Sequence, residues 1–312
     1  MCSGILQERD KALNQFHDSS DDRVVCLALA TDDHYTLPTA VTIKSVLTHL
    51  HPSYRLEAAI LADRVSATNR RLLEDTLSDE RVSLQWIDLP TDLGLASYPM
   101  SSPLNKEHSP TVWADLYLGD LLPASWRRVI YMDSDMLALG DLSQLFQSDL
   151  GGNMVGAVQD DPVPIVSAEF GIRPWRQLGF AAEDPYFNSG ILMVDLLKWR
   201  AKEVVAAAGS YLARFGDVLT QYDQEVLNVV CHGDWSPLEK KWNVTGWWNY
   251  PERRVGPYSD IHDEVMVFHF AGKTKPWKAS SPTSPFVEGY RATAQMTAWK
   301  RWQISEPTRP SV

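Results

Sequence analysis

Asp133, Ser134 and Asp135 stand directly after the apolar run Arg128-Val129-Ile130-Tyr131-Met132. In an extended chain residues i and i+2 project to the same side, so both carboxylates point to one place. Like charges held together repel unless a cation lies between them, and a divalent metal takes hard oxygen ligands. A polar turn closing a strand is the plain alternative. A second apolar run, Val265-Met266-Val267-Phe268, leads into His269-Phe270-Ala271-Gly272-Lys273-Thr274-Lys275-Pro276-Trp277. His269 is a candidate third ligand, and imidazole suits Mn2+ or Zn2+ better than Mg2+. Gly272 allows close backbone approach to a phosphate, and Lys275 offers it a point charge. A core histidine followed by a basic turn is the competing reading. Two more stretches are rich in hydrogen-bonding groups. Asn188-Ser189-Gly190 enters the apolar Ile191-Leu192-Met193-Val194, and Gln221-Tyr222-Asp223-Gln224-Glu225 precedes Val226 and Leu227, which fit a helix. Acids in a first helical turn complement the dipole without any further role.

The elements that must position these groups alternate along the chain. Residues 24–30 form a continuous apolar run of strand length, buried on both faces. Helical spacing follows over 36–50, with Pro38 in the first turn. Residues 58–61 read as a strand, 66–77 as a helix capped by Ser66, and 82–89 as a third strand. A helix over 111–122 then leads to a strand at 128–132. Strands alternating with helices give βαβ units and a mainly parallel, doubly wound α/β sheet. Ligands in such sheets lie beyond the carboxyl ends of the strands. Two of those ends are Thr31-Asp32-Asp33-His34-Tyr35 and Asp133-Ser134-Asp135. The chain contains no Gly-x-Gly, which removes the dinucleotide fingerprint and the P-loop.

Composition narrows the function classes. The 312 residues are 44% hydrophobic and carry 29 Lys+Arg against 40 Asp+Glu, a net −11, so the basic footprint of a nucleic-acid binder is missing. No apolar run is long enough to span a membrane, and the first residues show no secretory signal. Three cysteines, Cys2, Cys26 and Cys231, suit a reducing compartment, so the expected location is cytoplasmic. The sequon Asn243-Val244-Thr245 is set aside on that ground.

Together, Asp32-Asp33-His34-Tyr35, Tyr131-Met132-Asp133-Ser134-Asp135-Met136, Phe187-Asn188-Ser189-Gly190-Ile191-Leu192-Met193-Val194-Asp195, Asp223-Gln224-Glu225-Val226-Leu227-Asn228 and His269 to Trp277 resemble, in this order, the family-8 retaining glycosyltransferases. That family includes bacterial lipooligosaccharide galactosyltransferases and glycogenin. The resemblance runs over 24–277. It implies a GT-A fold: a Rossmann-like, mainly parallel sheet flanked by helices, as a single domain over 23–285 between a mobile tail (1–22) and a C-terminal helix and tail (286–312). It also implies transfer of galactose or glucose from a UDP-sugar, with retention, to a saccharide, glycolipid or protein-linked glycan. Carried over by motif, Asp133, Asp135 and His269 hold Mn2+, with Mg2+ as the second candidate. Asp32 and Tyr35 hold the uridine, and Gly272 and Lys275 the diphosphate. Asp160, Asn188, Ser189, Asp223 and Gln224 line the donor sugar; Asp160, Asp223 and Gln224 are the expected catalytic groups.

Gln224, placed by the resemblance opposite the leaving group, is a poor nucleophile. A front-face route is therefore favoured over double displacement. One position departs from the family: Trp113-Ala114-Asp115-Leu116 puts Asp115 where an arginine usually touches the donor sugar. That reversal points to an unusual donor, or to a noncatalytic or weakened sugar-nucleotide-binding protein as the alternative. His34, in place of a commoner asparagine, is a milder change. A nucleotidyltransferase would need a glycine-rich, lysine-bearing loop after the first strand, which is not there.

Trp247 and Trp248, in a stretch with Trp242, Asn243, Asn249 and Tyr250, are the candidate acceptor platform, since aromatic faces pack on sugar rings and amides bond hydroxyls. Core packing is the competing role for each. Phe286, Tyr290, Met296, Trp299 and Trp302 recur near helical spacing beside Arg291, Lys300 and Arg301. This tail either docks on the domain or meets the inner face of an anionic membrane.

Overall fold

In β1 (Val24–Asp32) successive side chains serve opposite faces. Val24, Cys26, Ala28 and Ala30 enter one apolar layer, and Val25, Leu27 and Leu29 the other. The computed structural model describes residues 23–90, 93–97, 110–245, 264–279, 281 and 283–299. Residues 1–22 lie outside it, as do Trp247, Trp248, Asn249 and Tyr250 of the expected acceptor stretch. From β1 the chain runs through α1 (Thr36–His49), β2 (Arg55–Asp63), α2 (Ala67–Thr76) and β3 (Val82–Asp88). The side chain of Ser66 caps α2 by accepting from Asn69 N. β2 pairs parallel with β1, and β3 parallel with β2.

The expected helix over 111–122 is mostly a different element. Residues Pro110–Tyr117 wind as a 3-10 helix, and only α3 (Leu118–Leu121) is α-helical. Within the 3-10 helix Asp115 Oδ1 accepts the backbone N–H of Leu116 at 2.8 Å, which takes that N–H out of the helical ladder.

β4 (Arg128–Met132) returns to the free side of β1 and pairs parallel with it. Beyond it come β5 (Met136–Ala138), α4 (Leu142–Phe146), β6 (Val155–Gln159), α5 (Trp175–Leu178), β7 (Phe187–Asp195), α6 (Leu196–Lys202), α7 (Val204–Phe215), α8 (Tyr222–Val230) and β8 (Trp235–Pro237). The large sheet has the order β3-β2-β1-β4-β7-β6-β8, and β7 runs antiparallel to both its neighbours. The strand order reverses between β1 and β4, which makes their carboxyl ends the switch point where such sheets bind ligands. Because β7 is antiparallel, its beginning, Asn188-Ser189, lies at the same edge as the end of β4.

A second sheet sets β10 (Val267–His269) between β5 and β9 (Val244–Thr245). Its outer face is covered by α9 (Pro285–Gln295), whose cap Ser284 accepts from Val287 N and whose proline occupies the first turn. Phe286, Val287, Tyr290 and Ala294 are buried against Leu137, Phe268 and Phe270, and the Phe286 ring stacks on Phe268 with centroids 4.0 Å apart. Arg291 donates to the carbonyls of Pro276 and Lys278. The apolar stripe of the tail is thus spent on the domain as far as Trp299, with only Met296 exposed among its described members. Lys300, Arg301 and Trp302 lie outside the described residues. No helix among the described residues is long and apolar enough to cross a membrane.

Candidate active site

A cavity of about 330 Å3 opens at the switch point, lined by Asp32, Tyr35, Tyr131, Asp133, Ser134, Asp135 and Asp223 among others. The Asp133-Ser134-Asp135 turn is stitched from below. Ser134 Oγ donates to Ala30 O at 2.7 Å and accepts from Thr39 Oγ1 at 2.9 Å. Thr42 Oγ1 reaches the carbonyls of Ser134 and Met136. Helix α1 therefore fixes the turn to β1. From the other side, Asp133 N donates to Gly190 O and Phe270 N to Asp135 O. Each aspartate is tied to the strand bearing a further site residue.

Ligand atoms of Asp133, Asp135 and His269 all lie within 4.8 Å of one another. His269 Nε2 is 3.4 Å from Asp135 Oδ1 and 3.6 Å from Asp133 Oδ2. The other ring nitrogen, Nδ1, is 3.1 Å from Asn243 Oδ1. Its protonation follows from a chain of side chains. Asp160 Oδ1 accepts from Asn188 Nδ2 at 2.9 Å, which turns the Asn188 oxygen toward Asn243 Nδ2 at 2.8 Å. Asn243 Oδ1 is then left to accept, so His269 Nδ1 carries the hydrogen. Nε2 faces the two aspartates, the orientation of a metal-bound imidazole whose second nitrogen is held by an outer partner. Gly190 lets the ring sit there: a Cβ on it would be 2.3 Å from His269 Cε1. These residues fit a divalent cation.

The electrostatics agree. Burial and the neighbouring Asp135 push the Asp133 carboxyl well above the usual range. Asp135 moves the other way: burial opposes its charge, but Lys275 and His269 outweigh burial and hold it below its ordinary value. Lys275 Nζ contacts Asp135 Oδ2 and donates to Phe270 O at 2.9 Å. Burial would lower the Lys275 ammonium, but Asp135 raises it on balance. Gly272 has φ +80°, the left-handed backbone for which glycine is suited.

At the β1 end, Asp32 Oδ1 accepts the backbone N–H groups of His34 and Tyr35 and shapes the loop. The exposed ring of Tyr35 meets Trp277 edge-on, with centroids 5.6 Å apart. Asp33 pins the same loop to α2, accepting from Ser66 N at 2.8 Å and Asn69 Nδ2 at 2.9 Å.

At the β7 end the groups are acids and amides. Ser189 Oγ donates to Asp223 Oδ2, and Ser189 N donates to Gln224 Oε1, both at 3.1 Å. Asp223 follows Tyr222, a non-glycine residue at φ 44°, a strained conformation of the kind concentrated at functional sites. Asp115, 1% exposed, is hydrogen-bonded to Asp223; burial first, then Asp223 and Asp133, push its carboxyl well above the usual range. Asp160 is also buried, which raises it to about 6, and its second oxygen accepts from Val163 N.

The sequence profile described as Glycosyl transferase family 8 matches residues 26–281. The chain belongs to that family. Among family-8 relatives and similar proteins, General stress protein A of Bacillus subtilis (strain 168) is 23% identical over 287 residues, covering 89% of this chain and 96% of that protein. Probable galacturonosyltransferase-like 3 of Arabidopsis thaliana is 30% identical, over 81% of this chain and 74% of its own. Lipopolysaccharide 1,2-glucosyltransferase of Escherichia coli (strain K12) is 27% identical, over 64% and 58%. The solved galactosyltransferase LgtC, in complex with donor and acceptor sugar analogs, superposes with a TM-score of 0.72 at 26% identity, covering 88% of this chain and 96% of that one. The fold is GT-A, as the motifs implied.

Within this family-8 site the structure gathers the expected metal, nucleotide and sugar residues around one edge of the sheet. Others had a different place. Trp242 is 4% exposed and packs in the core, and Asn243 is 3% exposed, bonded to Asn188 and His269 rather than open to a sugar hydroxyl. Glu225 lies in the expected motif but is fully buried, accepting from Tyr211 Oη and from Thr220 N and Oγ1 at 2.6 Å each. Sequence reading missed Thr39 and Thr42 and gave Asn243 a different role. The available signal for Asn243 was a polar residue between two apolar ones, Trp242 and Val244.

Proposed function

We propose that the protein is a hexosyltransferase that moves galactose or glucose from a UDP-sugar to a carbohydrate or glycoconjugate acceptor, retaining the anomeric configuration. The observation that carries this reading is the convergence of Asp133, Asp135 and His269 within 4.8 Å at the switch point. Tyr35 and Asp32 stand on the β1 side of it, and Asp223 on the β7 side. Mn2+ fits this donor set better than Mg2+ because one ligand is imidazole. When bound there it supplies positive charge against the diphosphate and stabilises the departing UDP. Tyr35, backed by Trp277, offers its face to the uracil, and Asp32 stands beside the ribose. Lys275, already charged and close to Asp135, turns to the phosphates.

Front-face attack is supported by the state of the carboxylates. Glu225 is enclosed and used by its own loop, and Asp223 is engaged by Ser189 and Asp115. Gln224, its amide oxygen held by Ser189 N, keeps an uncharged group beneath the sugar. The location that goes with it is cytoplasmic, on the cysteine usage; membrane contact through the tail would fall to residues from 300 on.

Incubation of the purified protein with Mn2+ and UDP-galactose or UDP-glucose tests it. Slow release of UDP, lost in Asp135→Ala, is expected. Tight UDP binding without release or transfer would instead favour the noncatalytic sugar-nucleotide binder, to which Asp115 lends weight. A glycosyl ester trapped on Asp223 by rapid quench and mass spectrometry would overturn the front-face route.

A further inference from the structure

Strand order lays the site out as a line. Asp32 ends β1, Asp133 follows β4, and Asn188 and Ser189 begin β7, its neighbour on the far side. Adjacent strands are about 4.8 Å apart, so a ligand with its base at β1 and its diphosphate at β4 carries its sugar to β7. The wall met there by the sugar is Asp223, which lines the cavity and is held from one side by Ser189 Oγ. From behind it is held by Asp115, whose Oδ1 is engaged by Leu116 N and whose carboxyl is hydrogen-bonded to Asp223.

Two carboxyl groups in contact, one lining the cavity and one enclosed, form a surface that accepts hydrogen bonds. Hydroxyl groups of a neutral sugar satisfy such a surface. A second carboxylate does not, because like charges brought together out of water repel. We infer that Asp115 is a positioning residue that holds Asp223 as an acceptor toward the donor sugar, so that the site takes uncharged hexoses and rejects hexuronates. This rests on the UDP-sugar reading above. It separates the chain from its 30% identical relative, whose name is a galacturonosyltransferase-like protein. It also gives Asp115 a role that does not depend on the arginine usual in the family.

Calorimetry with Mn2+ and intact donors tests this without requiring turnover. UDP-galactose or UDP-glucose is expected to bind at least about tenfold more tightly than UDP-galacturonate and UDP-glucuronate. In Asp115→Leu, which removes the group behind Asp223, the UDP-hexose affinity is expected to fall about tenfold while the affinity for UDP itself stays unchanged. Asp115→Asn keeps an N–H for Asp223 and an oxygen for Leu116 N, and should restore the hexose affinity. That split is one a general packing defect would not produce. Equal binding of hexose and hexuronate donors by the unmodified protein would overturn the inference while leaving the UDP-sugar reading intact. Wild-type hexose affinity in Asp115→Leu would do the same. Failure of UDP and Mn2+ to bind at all would remove the parent reading, and this one with it. Should the leucine variant not fold, the donor comparison in the unmodified protein decides.

Discussion

The two ends of the cavity handle negative charge in opposite ways. Around Asp133 and Asp135 the acids face cationic or metal-ready groups: Lys275 contacts Asp135, and His269 turns its Nε2 toward both. That end is arranged for a partner that brings positive charge. Around Asp223, Asp115 and Asp160 the acids meet a serine hydroxyl, an asparagine amide, backbone N–H groups and one another. Burial shifts these carboxyls toward the neutral form. The first end sets acids against cationic groups and the second sets them among hydrogen-bond partners, with Asp133, Asp135 and Asp223 lining one pocket. An acid cluster is thus not one kind of object; the groups around it decide whether it awaits a cation or a hydroxyl.

The strongest way to break this contrast is Asn243→Ala, which frees His269 Nδ1 while leaving all three ligands in place. Mn2+ affinity measured by calorimetry should fall roughly 10- to 100-fold, the usual cost of losing an outer partner of a metal-bound histidine. An unchanged affinity would mean that the chain from Asp160 to His269 does not orient the ring. The pH dependence comes next. Asp133 sits at a raised value of about 7, so a proton competes with the metal for it below that pH. Mn2+ affinity should therefore rise with pH through that region, by at most about tenfold per unit, and level off once Asp133 is ionised. A flat profile from pH 5 to 8 would remove Asp133 from the ligand set.

Gly190→Ala probes the boundary between the two ends. The added methyl meets the His269 ring, so thermal or denaturant unfolding should show a loss of about 1–3 kcal/mol. Mn2+ binding should weaken alongside it. Ser284→Ala serves as the comparison outside the cavity. Loss of the α9 cap should cost about 1 kcal/mol of stability with no change in Mn2+ affinity.

The parallel half of the fold and the convergence of the two aspartates after β4 were legible because they depend on local pattern. Val24 to Ala30 is apolar without interruption, and the strand at 128–132 emerged with those bounds. The aspartates then follow from the pleat. Less visible were features set by a few long-range bonds. The small sheet joins strands of two and three residues, too short to carry a period. The expected helix over 111–122 is mostly a 3-10 stretch at Pro110–Tyr117, a difference of one residue in hydrogen-bond reach that the side-chain pattern does not encode. Asn243 belongs to the expected acceptor stretch; its apolar neighbours Trp242 and Val244 signal burial, but not its partners Asn188 and His269, which are distant in sequence. Glu225 shows the converse: it belongs to a motif, yet its carboxylate serves the loop at Thr220 rather than the cavity.

The burial of Asn243 has a practical bearing on expression. It is the acceptor asparagine of the sequon Asn243-Val244-Thr245, and oligosaccharyltransferase acts on nascent chains before they fold. A glycan attached at that stage would have to be accommodated where only the amide fits, beside His269. Secretion from a eukaryotic host would therefore yield misfolded or metal-deficient protein, whereas bacterial cytosol, or a Thr245→Ala chain, would avoid the modification.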